Sequence, residues 1–179
     1  IIFFNINIAA ANEFEFNVSE IIISNNGNII EAKKGTATSL INGINIKADV
    51  FFYNKNASTL TASGDIKITS IENDFLIKTQ SIIYDTYKKE ISSQDNTLID
   101  DKRGNMAEAQ AFFLNLNDDV IKLSKMKMTD SQKNIINLDN AYINLNTRAL
   151  IGKDVSIDLN NKTFGKENEP RLKGASLES

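Results

Sequence analysis

The sequence predicts an all-β fold, built as an elongated stack of repeated two-strand units. Three observations carry this reading. Apolar residues recur with a period of two, turn signals punctuate the whole chain, and the pattern repeats at intervals near 30 residues. Alternation of this kind gives a strand one apolar face and one polar face. A helix would need a period of 3.6.

The chain has 179 residues, which suits one domain with room for a core. A chain of this size buries roughly 70% of its unfolded surface and needs no covalent staples. It contains no cysteine and no histidine. Disulfides, thiolate metal sites and triads built on Ser/His or Cys/His are therefore excluded within it. The commonest general base and metal ligand is also missing. The formal net charge is −3, which argues against a nucleic-acid partner requiring a clustered basic face. No cofactor, metal site or enzymatic activity is expected.

The chain opens on Ile1-Ile2-Phe3-Phe4-Asn5-Ile6-Asn7-Ile8, followed by Ala9-Ala10-Ala11. An apolar run ending in A-x-A has the pattern of a secretory signal tail, so residues 1–11 are expected to be a signal remnant. The other reading is a first β-strand. From residue 12 onward, turn signals recur. Among them are Asn25-Asn26-Gly27-Asn28, Asn42-Gly43, Asn54-Lys55-Asn56, Ser63-Gly64-Asp65, Glu72-Asn73-Asp74, Lys102-Arg103-Gly104-Asn105, Asn117-Asp118-Asp119 and Asn146-Thr147-Arg148. Gly and Asn accept positive φ, and Asn and Asp side chains bond their own backbone, so these residues turn the chain. Short runs rich in Ile, Val, Phe, Thr and Tyr lie between them. Met106 to Leu116 is the one stretch whose Ala and Glu content also suits a helix.

The repeat is visible by alignment. Ile46-Lys47-Ala48-Asp49-Val50-Phe51-Phe52-Tyr53 matches Ile77 to Tyr84 at 77 − 46 = 31, then Ala107 to Leu114 at 107 − 77 = 30, then Ile136 to Ile143 at 136 − 107 = 29. A unit that cannot bury its own apolar face must stack on its neighbours. The register expected to face inward is Ile46, Ala48 and Phe52 in the first copy, with Leu60, Ala62, Ile66 and Ile68 on the return strand. It continues with Ile77 and Ile83, with Ala109 and Phe113, and with Leu138 and Tyr142. The small residues Ala48, Thr79 and Ala109 share one position. They fit a packed interior facing bulky partners and a hollow one equally well. The adjacent pairs Asp100-Asp101 and Asp118-Asp119 are expected in turns, since neighbours on a strand point to opposite faces and do not converge on a substrate.

The two-strand repeat Ile46-Lys47-Ala48, Tyr53, Leu60-Thr61-Ala62-Ser63-Gly64-Asp65-Ile66-Lys67-Ile68 resembles the OstA-like family of periplasmic lipopolysaccharide-transport domains, which includes LptA, LptC and the N-terminal domain of LptD. Phe164 to Gly174 further resembles the segment leading from the LptD periplasmic domain toward its outer-membrane barrel. The resemblance implies a V-shaped β-jellyroll over residues 12–162 and a linker over 163–179 toward a barrel. It also implies a periplasmic location and lipid A acyl chains held in an apolar groove lined by the inward register. As partners it implies an LptA-like bridge protein paired to an edge strand near Phe14, Phe16 and Val18, and an LptE-like lipoprotein. A free-standing LptA-like carrier and a structural β-solenoid that binds no lipid remain the alternatives.

Overall fold

A computed structural model describes residues 13–70, 74–160 and 171–178. The signal-peptide expectation falls on residues outside this range. The segments rich in β-branched and aromatic residues all form strands. They are β1 (Glu15–Ser24), β2 (Ile29–Ser39), β3 (Ile44–Asn54), β4 (Thr59–Ser70), β5 (Leu76–Asp85), β6 (Glu90–Ser93) and β7 (Thr97–Asp100). After them come β8 (Met106–Ala109), β9 (Ala111–Asn115), β10 (Val120–Thr129), β11 (Ile135–Asn144), β12 (Leu150–Asp158) and β13 (Arg171–Glu178). The helix-friendly stretch is thus β8 and β9. Arg171–Glu178 pairs along β12, so this part of the expected linker is the last strand of the sheet.

All strands belong to one antiparallel sheet whose order follows the chain. β5 pairs with both β6 and β7, while β10 pairs with both β8 and β9. Each of these two pairs of segments is therefore a single strand broken in the middle. Every other strand pairs with its sequence neighbours, as expected for stacked two-strand units.

The turns repeat as well as the strands. Asn54 and Asp85 each accept a hydrogen bond from a backbone N–H three residues on, and Asn115 and Asn144 accept two each from the turns that follow them. These four acceptors lie 31, 30 and 29 residues apart by position. Successive turns are tied by backbone bonds from Lys55 to Asn28, Thr86 to Ser58, Leu116 to Lys89 and Leu145 to Asp119, each 2.8–3.0 Å long. At the opposite strand ends, Asp101 and Asp130 bind the N–H groups of Asn105 and Asn134 in the same manner.

One feature of the strands departs from simple alternation. In β3 the buried positions are Ile44, Ile46 and Ala48, then Phe51 and Tyr53. The phase slips by one residue at Asp49-Val50. The same slip occurs at Gln80-Ser81 in β5, at Gln110 between β8 and β9, and at Asp139-Asn140 in β11. On intervening strands the backbone turns through positive φ at Lys34 (46°), Gly64 (81°), Asp65 (41°), Lys125 (51°) and Asp154 (55°). The register places these positions side by side, with bulges between Lys47/Val50 and Ser63/Ile66. Bulges bend strands and re-aim side chains. The aligned slips form a crease on which the whole sheet folds over, so the two halves of each strand lie in opposite layers.

The crease corrects the expected register. Phe52, Ile83, Phe113 and Tyr142 lie beyond it, where the phase has changed. Their exposures are 41%, 56%, 38% and 44%, and they stand on the outer face. Their neighbours Phe51, Tyr53, Ile82, Tyr84, Phe112, Leu114 and Ala141 are buried instead. Ser63-Gly64-Asp65, which read as a chain-reversing turn, is the crease within β4.

Candidate functional site

The space between the two layers is the candidate site. Its walls come from both halves of the strands. Of the expected groove residues, Ile46, Ala48, Leu60, Ala62, Ile66, Ile68, Ile77, Ala109 and Leu138 point into it and are buried. Large and small side chains alternate across the strands, as in the row Ala32, Phe51, Ala62, Ile82. The small residues flank the crease, where the layers are closest. From β2 to β6 the interior is a packed core. The four exposed residues of the expected register take no part in it.

The N-terminal end of the space is plugged. Phe14 is buried, with its ring edge-on to Tyr53 at 5.1 Å and to Tyr84 at 5.6 Å. Phe16 packs against Phe51 at 6.0 Å, and Val18 lies partly buried against the same core. Asn42, in the turn before β3, donates to Tyr84 Oη at 2.8 Å and to Ser39 Oγ at 3.1 Å. This contact spans the seam, joining a turn of one layer to the strand end of the other. Burial, reinforced by the Glu13 carboxylate, pushes the Tyr84 phenol well above its ordinary pKa, so it serves as a neutral hydrogen-bonding group. The side chains of the proposed docking edge thus face the interior, while the outer edge of the β1 backbone has no partner strand among the described residues.

The opposite end is open inside. A cavity of about 300 Å³ lies between Phe75, Ile99 and Ala107 on one side and Met128, Ile136, Ile143 and Ile157 on the other. Ile136 and Ile143 are seven residues apart on β11, a separation of about 23 Å along a straight strand. Both nevertheless border the same cavity, which shows the strand bending over the crease. Met128, Ile136, Ile143, Leu145, Ile157 and Leu177 are only partly buried, unlike the filled interior before them. Sequence reasoning singled out none of these residues as a site.

The mouth of the cavity is polar and clasped. Arg148, in the turn after β11, donates from Nη1 to Asp101 Oδ2 at 3.1 Å. Asp101 lies between β7 and β8, so this ion pair also crosses the seam. Asp101 further accepts from Arg103 N at 2.8 Å, Asn105 N at 3.0 Å and Asn105 Nδ2 at 2.6 Å. Burial by itself would raise the Asp101 carboxyl, but these donors and the Arg148 charge outweigh it and hold the pKa below the ordinary value. Asp101 therefore has a turn-closing role, as expected, and a clasping role that the sequence did not disclose.

No protein-family model matches the sequence, and no curated protein sequence matches it. Among solved structures the chain is similar to LptH of Pseudomonas aeruginosa, described as the LptA homologous periplasmic component of the conserved lipopolysaccharide transport device. The TM-score is 0.54 at 9% identity, covering 73% of this chain and 93% of LptH. The creased sheet with its apolar interior is thus a β-jellyroll of the LptA type.

Proposed function

We propose that this chain is a non-catalytic periplasmic carrier of lipopolysaccharide, holding an acyl chain in the cavity between its two layers and passing it toward the outer membrane. The observation that carries this reading is the apolar cavity at the β10–β13 end of an LptA-type fold. Its volume lies at the lower end of small-ligand pockets, enough for one chain rather than a whole lipid. Each buried CH₂ contributes about 0.8 kcal/mol, so binding needs no directional contact. The polar mouth leaves a sugar headgroup in water. Further acyl chains would enter only if the seam opened past the Arg148–Asp101 clasp.

A free-standing LptA-like carrier and the periplasmic domain of an LptD-like protein are equally consistent with this fold. Part of the segment on which the LptD reading relied is β13, paired along β12. The LptD form would add a barrel and an LptE-like lipoprotein partner. In either form the edge of β1, which has no partner strand among the described residues, is a template for an LptA-like bridge strand.

Substituting Ile136→Trp places an indole in the cavity. Native mass spectrometry of the delipidated protein should then show lost lipopolysaccharide binding, while Ile83→Trp, on the outer face, leaves binding intact. Undiminished binding by Ile136→Trp would place the lipid elsewhere.

A further inference from the structure

The outer face of the layer on the other side of the crease carries an unusual row. Lys47 stands directly opposite Lys67, and Lys67 directly opposite Lys78, on three successive strands. Like charges in direct register destabilise a sheet, and this chain is acidic overall. The row continues through Leu98 and Glu108 to Lys127. Lys67 is matched by Asp65 at 3.3 Å. Among the described residues, no carboxylate lies within ion-pair distance of Lys47, Lys78 or Lys127.

A second observation falls on the same place. Where β6 and β7 part at the crease, a groove of about 600 Å³ opens on the outer face. Lys78 and Lys127 stand on its two sides, three strands and hence about 14 Å apart. Gln80, Asn96 and Gln110 line the groove between them, and their side chains make no hydrogen bond among the described residues. Lys125, also in the groove, is neutralised by Asp139 at 2.8 Å. Of the two acids in the lining, Asp65 is held by Lys67 and Glu108 sits in register with Lys127.

We propose that this groove binds a sugar-sized polyol carrying two phosphate groups. Lys78 and Lys127 take one phosphate each as point charges. The amides of Gln80, Asn96 and Gln110, with the Glu108 carboxylate, take hydroxyl groups. Such a ligand offsets the repulsion between Lys78 and its register partner Lys67.

Calorimetric titration of the full chain with fructose 1,6-bisphosphate at low salt tests this. The probe has no acyl chain, so its result is separate from that of the acyl cavity. Saturable binding is expected, weakening as salt rises, with none for glucose. The Lys78→Gln/Lys127→Gln variant should lose at least tenfold in affinity while keeping its circular dichroism spectrum. Lys88→Gln/Lys89→Gln, in a turn away from the groove, should bind as the parent does. Absence of binding, or equal weakening in both variants, would overturn the proposal. Competition by micelles of a bisphosphorylated glycolipid would support the site and assign it to a lipid headgroup. Binding without such competition would support it for a free sugar phosphate.

Discussion

Asp101 collects four donors, three from its own turn and one from Arg148 across the seam. Its carboxyl is held below its ordinary pKa. A group of this kind contributes stability that is fully present above its unfolded-state pKa, near 4, and is lost as pH falls through the lower folded value. Asp101→Asn should therefore destabilise the protein at neutral pH by about 1–3 kcal/mol. Denaturant midpoints of variant and parent should converge below about pH 4, and a difference that persists in strong acid would contradict this assignment. At the opposite end Phe14 fills the space between Tyr53 and Tyr84. Phe14→Ala should cost about 3–5 kcal/mol, read as a lowered urea midpoint.

Among the elements, the strands and their turns were legible because each repeat ends in the same device. Asn54, Asp85, Asn115 and Asn144 follow an apolar run and close a turn, and Asn and Asp announce that chemistry. The crease was not legible. It is a one-residue phase slip carried by Lys34, Gln80, Gln110 and Lys125, residue types that signal no turn, and by Asp49, which stands inside an alternating run. The alternation through Ala48, Val50 and Phe52 therefore ran one residue out of step past the fold. Ser63-Gly64-Asp65 marked the place, and it reads equally as a hairpin turn. In the structure Gly64 has φ of +81°, and a Cβ there would stand 2.7 Å from Asp49 Cβ. Gly64→Ala should cost at least about 1–2 kcal/mol, seen as a melting shift of about 2–4 °C per kcal/mol. At Gly35 a Cβ would run into the Asn17 backbone of β1. Gly35→Val should loosen β1 alone, with faster hydrogen exchange over Glu15–Ser24 and unchanged protection in β4 and β5.

For the whole molecule, the crease converts a single long sheet into two layers without a second sheet. It places the apolar face inside along the full stack. What the interior does then varies along the chain. From β2 to β6 aromatic and branched side chains fill it. Toward β13 the bulky partners run out and a cavity remains, clasped by one ion pair. Composition and periodicity alone left packed and hollow interiors open, because both need the same apolar face. The structure contains both, in different halves. Site-specific photo-crosslinking to lipopolysaccharide tests this division most directly. Benzoylphenylalanine at Met128 and at Ile157 should capture the lipid, whereas the same group at Phe52 and at Ile83 should not. Equal labelling at the two outer positions, or none at the two cavity positions, would contradict the account.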